Sequence, residues 1–229
     1  MKEVKSFMRT LFHYPLCPYS RKIRMLLAEK NLEFSLQFEP VWRKRPEFLD
    51  INPAGKVPVL IDHENQVIMD SGVISEYLEE AYPGQNFIGK AIAARAETRR
   101  IVAWFDDVFF NEVTKQIVFE KTMKRQFSLG EPNSNVIREG ISYMHQHFDY
   151  LSWLIERRHW VAGETFSLAD MAGAAHISTL DYINHVPWEE YPEIKEWYSR
   201  IKCRPSFRGL LNDQVPGIIP PVHYWDLDF

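Results

Sequence analysis

The chain has 229 residues, 45% hydrophobic and 25% charged, an ordinary composition for a soluble globular protein and enough length for two compact domains. A formal net charge of −4 gives no electrostatic reason to expect a nucleic-acid partner, and no apolar run approaches the length of a membrane span. Only two cysteines occur, Cys17 and Cys203, in different predicted domains, which argues against a disulfide framework. Residues 1–8 lack a signal-peptide core and a small-residue cleavage site, so the expected location is the cytoplasm.

Thr10-Leu11-Phe12-His13 reads as a short strand ended by Pro15. Pro18 is placed as the first residue of a helix capped at Cys17, and Ile23, Leu26 and Leu27 give that helix an apolar stripe. Residues 33–38 alternate as a strand should, with Phe34, Leu36 and Phe38 on one face. Residues 57–61 and 66–69 form a predicted hairpin that turns at His63-Glu64-Asn65. A helix opens at Asp70-Ser71, carries Ile74, Tyr77, Leu78 and Ala81 on one side, and stops at Tyr82-Pro83-Gly84. Strand, helix, strand, hairpin and helix in that order make an α/β unit of thioredoxin-like type.

From about residue 90 helical patterns take over. Residues 91–127 and 136–157 are long helices separated by the polar break Glu131-Pro132-Asn133-Ser134-Asn135. Ser167-Leu168-Ala169-Asp170 has the form of a capping box, and the helix behind it is expected to be a buried spine, with Met171, Ala172, Ala175, Thr179, Tyr182 and Ile183 on one face. Residues 188–202 are a last predicted helix, interrupted by Pro192. The expected domains are 1–84, 90–211 and a tail, 212–229, that holds Pro216, Pro220 and Pro221 and ends in an aromatic and acidic run. A helix is not expected in that tail.

The run Gly55-Lys56-Val57-Pro58-Val59-Leu60 is the most informative in the chain. Pro between two β-formers fits a cis-Pro turn leading into a strand, which leaves the Val57 backbone free to pair with something extended. Asp70-Ser71 then opens a helix whose free N–H groups attract a carboxylate. Together they describe a peptide-sized clamp with a carboxylate hole at one end. With Tyr14-Pro15-Leu16-Cys17-Pro18-Tyr19-Ser20-Arg21-Lys22, Asn52-Pro53-Ala54, Phe166-Ser167-Leu168-Ala169-Asp170 and Arg204-Pro205-Ser206-Phe207 in the same order, the chain resembles the glutathione S-transferase superfamily from Thr10 to about Leu211. The resemblance implies α/β followed by all-α: a thioredoxin-like domain, then an all-helical domain, assembled as a homodimer. It also implies that Lys56, Val57, Pro58, Asp70 and Ser71 line a glutathione site.

Cys17 stands at a helix start, where the dipole and the nearby Arg21, Lys22 and Arg24 favour a thiolate. The resemblance makes Cys17 a candidate for mixed-disulfide chemistry with glutathione, and Ser20 and Tyr14 weaker candidates for stabilising a thiolate; the plain alternative is a small cap residue with no chemistry. Asp in place of the commoner Glu before Ser71 is a mild departure from the family. Trp42-Arg43-Lys44-Arg45 after the second strand puts an aromatic beside a charge run, as interface hot spots do. His145 and His147, two residues apart, fall on different helix faces, and no metal site is expected. The pairs Glu79-Glu80 and Asp106-Asp107 read as solvated helix faces.

Two functions from different classes follow. The tail residues Pro221, His223, Tyr224, Asp226, Leu227, Asp228 and Phe229, with the segments 119–125 and 181–188, look like those of the glutathione-transferase-fold division proteins of bacteria, the FzlA-like group, which bind filaments of the tubulin homologue FtsZ. That resemblance implies a division regulator with FtsZ filaments as partner, no required cofactor, and partner contacts at Trp42, Tyr224, Asp226, Leu227, Asp228 and Phe229. The alternative is a glutathione S-transferase or glutathione-dependent thiol reductase acting on small apolar electrophiles, with glutathione as ligand or substrate and Cys17 or Ser20 at the thiol site.

Overall fold

The computed structural model describes residues 8–227. Four strands, β1 Arg9–His13, β2 Phe34–Phe38, β3 Val59–Ile61 and β4 Val67–Met69, form one sheet in the order β2-β1-β3-β4. β1 and β2 run parallel through Leu11↔Leu36, and the β3–β4 hairpin is antiparallel to β1 through Leu11↔Leu60. Around the sheet lie α1, Pro18–Glu29, α2, Pro46–Ile51, and α3, Ser71–Ala81. This is a thioredoxin-like α/β domain. A helical domain follows: α4, Ile92–Ala103, continues as a π-wound segment, Trp104–Met123, then come α5, Ser134–Ile155, α6, Leu168–Tyr182, α7, Pro192–Lys202, and α8, Pro205–Leu211. Among the described residues no helix is long and apolar enough to cross a membrane.

Most elements stand where their patterns place them, and the departures have physical causes. β2 is the edge of the sheet, so Leu36 and Phe38 are 42% and 45% exposed rather than buried. α2 escapes the sequence pattern because it is only six residues long and buries a single side chain, Phe48. α8 is a separate helix, because Pro205 starts a new one after Arg204. α6 buries every residue from Leu168 to Tyr182, not one face. A helix walled on all sides needs small residues at its contacts: a Cβ on Gly173 would lie 2.8 Å from the Phe105 ring. The acidic pairs also split. Glu80 and Asp107 are exposed, but Glu79 is buried against Lys30, and Asp106 pairs with Lys22.

The start of α6 is fixed by the capping box. Asp170 is fully buried and accepts four hydrogen bonds: from the Ser167 N–H and hydroxyl, the Val161 N–H and the Trp197 indole. One carboxylate thus ties the α5–α6 loop, the α6 cap and α7. Burial raises its pKa, while those donors stabilise the charged form.

The two domains meet where α1 packs on α6. α1 carries its cations into this interface instead of into solvent. Arg21 is fully buried and donates to the Pro15 carbonyl at 2.6 Å, Ser178 Oγ at 2.8 Å, Tyr224 Oη at 3.0 Å and Asp213 Oδ2 at 3.5 Å. Arg24 reaches the same Asp213 oxygen at 2.7 Å. His13, at the end of β1, is buried beside this cluster, and its pKa is lowered to about 4 by burial first and Arg24 second, with Asp213 opposing.

Two outcomes are expected. Asp170→Ala strands several buried donors and should cost about 3 kcal/mol in urea unfolding. The unfolded chain protonates His13 near the ordinary 6.5, whereas the folded chain does so only near 4. Stability should therefore fall as pH drops through that window, and His13→Gln should remove part of the slope in urea titrations run at successive pH values.

Candidate functional site

Cys17 is the N-cap of α1, has no side-chain capping bond, and is followed by Pro18 at the first helical position. Its N–H closes the turn on the Tyr14 carbonyl at 2.9 Å. Its Sγ–H points to the Val57 carbonyl at 3.7 Å, across from the cis Val57–Pro58 bond. Burial pushes the Cys17 thiol up, and the nearby Asp106 charge adds to this. The Ser20 hydroxyl and the Ser20 and Tyr19 N–H groups pull the other way without reversing it. The cations expected to help are turned to other partners: Arg21 to Tyr224, Lys22 to Asp106 and Arg24 to Asp213. Ser20 is fully buried. Tyr14 is buried too, and its hydroxyl pKa is pushed up to about 12 by that burial.

The clamp around this turn is held by the chain itself. The Asn52 side chain donates to the Lys56 carbonyl at 2.7 Å, and Gly55 takes φ +62°, a turn conformation that suits glycine. The Lys56 side chain is exposed. The Val57 carbonyl, expected free for an extended ligand, faces the Cys17 thiol. At the carboxylate hole expected at Asp70-Ser71, Asp70 caps the helix, its Oδ1 accepting from the Gly72 and Val73 N–H groups at 2.7 and 3.3 Å. Ser71 is buried beneath it.

The partner candidates separate by burial. Trp42 is half-buried, edge-on to Tyr14 at 5.6 Å and to the exposed Phe38 at 6.2 Å, so it belongs to an aromatic cluster at the sheet edge. The neighbouring charge run is not all solvated, since Arg45 forks onto the fully buried Glu39. Tyr224 is not a surface contact. It is fully buried on Tyr182, accepts from Arg21 and donates to the Leu210 carbonyl at 3.3 Å. The tail holds a short 3-10 turn, Val222–Tyr224, and is pinned by Lys202, which donates to the His223 carbonyl at 2.6 Å, and by His223 against Asp181 at 2.9 Å. Asp226 is exposed and Leu227 half-buried; Asp228 and Phe229 lie outside the described residues. Trp225, 48% exposed, is the outward aromatic among the described residues of the tail. It stands in the same run as the sequence candidates, and nothing in the sequence separates it from Tyr224. His145 and His147 reach different partners, Tyr191 and Glu112.

A thioredoxin-like domain with a cis-Pro turn, packed through α1 on the capping-box helix α6 of an all-helical domain, defines a protein class. The N-terminal domain model of glutathione S-transferases matches residues 11–86 and the C-terminal domain model matches residues 142–205. The chain belongs to the glutathione S-transferase superfamily. Within it, the chain is 42% identical over 224 residues to FtsZ-localized protein A of Caulobacter vibrioides, an alignment covering 96% of this chain and 98% of that protein. The crystal structure of FzlA from C. crescentus superposes with a TM-score of 0.94, covering 97% of this chain and all of that one. A glutathione S-transferase structure from Rhodospirillum rubrum, 49% identical, gives the same TM-score over 97% of this chain and 100% of its own.

The raised thiol sets one expectation. Iodoacetamide labelling of Cys17 should stay slow at neutral pH and rise only above the ordinary thiol range, roughly 8.5. A midpoint at or below that value would restore the activated thiolate.

Proposed function

We propose that this chain is an FtsZ-associated division protein, in which a glutathione-transferase scaffold presents a protein-binding surface. The observation that carries this reading is the 42% identity to FtsZ-localized protein A over 96% of the chain. Two features of the site support it. The start of α3 is capped by the chain's own Asp70, and the thiol at the head of α1 is held toward its protonated form. The tail, in contrast, presents Trp225 and Asp226 outward from a firmly anchored turn. An exposed tryptophan on a rigid base has the composition of an interface anchor. Trp42 with Phe38 at the sheet edge is a second candidate contact. This reading requires no cofactor, and it places the protein in the cytoplasm with FtsZ. A homodimer is part of it, carried over from the superfamily and supported by Val67, Met69 and Val73, which leave an apolar strip exposed on β4 and α3.

A second reading is favoured by the cis-Pro turn and the 49% identical Rhodospirillum rubrum glutathione S-transferase: conjugation of glutathione to an apolar electrophile. Pelleting with GTP-assembled FtsZ filaments from the same organism separates the two. The native protein should co-pellet, and Trp225→Ala should abolish co-pelleting while changing stability by less than about 0.5 kcal/mol, as surface substitutions do. Absence of pelleting by the native protein, together with turnover of a chlorodinitrobenzene-type electrophile in the presence of glutathione, would establish the second.

A further inference from the structure

Each of the two cysteines belongs to or touches a segment that the buried Arg21 holds. Cys203, exposed after α7, points its thiol at the Leu227 carbonyl at 3.7 Å and so touches the end of the described tail. Three residues back, Tyr224 Oη accepts from Arg21 Nη1 at 3.0 Å. Arg21 Nε donates to the Pro15 carbonyl at 2.6 Å, inside the turn that ends at Cys17. The remaining Arg21 donors go to Ser178 on α6 and to Asp213. A single guanidinium without exposed surface therefore holds both the tail and the thiol turn.

A guanidinium is planar, and its donors sit in a fixed fork, so one cannot be re-aimed without moving the others. With Tyr224 in place, the plane is set by acceptors on the tail, on α6 and in the thiol turn. When the Tyr224 acceptor leaves, Nη1 is held by Ser178 alone, the plane is free to turn toward Ser178 and Asp213, and the short Nε bond to Pro15 slackens. Pro15 lies two residues before Cys17 in a turn closed by one backbone bond, Cys17 N–H to the Tyr14 carbonyl. A slack turn releases the Cys17 Sγ from the Val57 carbonyl and opens it to solvent.

We infer that docking of the tail on Arg21 limits the accessibility of the Cys17 thiol: with the tail seated the thiol is half-buried on the Val57 carbonyl, and a partner that draws the tail away exposes it further. Arg21 is the positioning residue of this link. The inference goes beyond the proposed function and does not depend on which partner engages the tail. Coupling of this kind is reciprocal, so a group attached to Cys17 loosens the tail by the same factor.

The full-length chain carries its own two reporters. Iodoacetamide labelling rates of Cys17 and Cys203 are read separately by peptide mass spectrometry at neutral pH. Tyr224→Phe keeps the buried ring and removes the hydroxyl, with its bonds to Arg21 and to the Leu210 carbonyl; Tyr224→Ala removes the anchor. Tyr224→Ala should raise labelling of both cysteines, with Cys17 faster by about tenfold, and Tyr224→Phe should raise Cys17 by a smaller factor. Ser167→Ala, which weakens the α6 cap without touching Arg21, controls for general loosening. The link is overturned by a Tyr224→Ala protein in which only Cys203 accelerates, or by a Ser167→Ala protein of equal melting point in which Cys17 accelerates as much. If Tyr224→Ala does not fold, Tyr224→Phe decides alone: a faster Cys17 supports the link and an unchanged one overturns it.

Discussion

The architecture depends on burying the cations of α1. A guanidinium out of water carries a desolvation penalty of several kcal/mol unless its N–H groups are matched by acceptors. Arg21 meets that condition only with four partners from three places: the Pro15 turn, α6, and the tail, which supplies both Asp213 and Tyr224. Lys22 beside it needs Asp106 from the π-wound segment, and Arg24 needs Asp213 again. Each requirement recruits a piece of chain far away in sequence. The domain interface is therefore more than an apolar contact between two helices. It is a set of ionic demands made by one helix and met by the second domain and the tail, and this explains why a Pro-rich terminal segment is ordered at all.

The same arrangement decides what the head of α1 can do. A thiolate at a helix N-terminus is stabilised by the dipole and by nearby free cations. Here the cations are committed to the interface, Asp106 contributes a negative charge, and burial works against ionisation. The backbone features of the fold, the cis-Pro turn and the Asp-capped α3, are set by the chain itself and not by the state of the thiol. Fold and chemistry come apart at this point: the turn and the cap hold the sheet together whether or not a ligand sits between them.

What was legible in the sequence was whatever local rules govern. Pro18 after Cys17, the cis-Pro run, the stop at Tyr82-Pro83 and the Ser167–Asp170 box each rest on backbone sterics or capping, and each is where it was expected. What was not legible depends on packing between distant segments. Alternation put Phe34, Leu36 and Phe38 on one face, but it cannot tell an edge strand from a central one. Glu79 and Asp106 look like their solvated neighbours Glu80 and Asp107 until Lys30 and Lys22 arrive from α1 and its end. Arg21 and Asp213, which organise the interface, have no sequence mark at all, because an arginine that will be buried reads as one that will be exposed.

The tail shows the same limit at its narrowest. Tyr224 and Trp225 are adjacent aromatics in one aromatic and acidic run, and composition assigns them one role. The 3-10 turn over Val222–Tyr224 turns them apart: the phenol goes inward to a buried arginine and the indole stays half in water. The inward residue pays for the outward one. A surface aromatic on a flexible terminus loses conformational entropy when a partner immobilises it, whereas one mounted on a buried anchor has already lost most of it on folding. An anchored Trp225 is thus a preorganised contact. The same anchor makes the contact costly to pull away, so a partner that binds Trp225 with the tail seated leaves the interface intact, and one that needs the tail extended must break the Arg21 bond first.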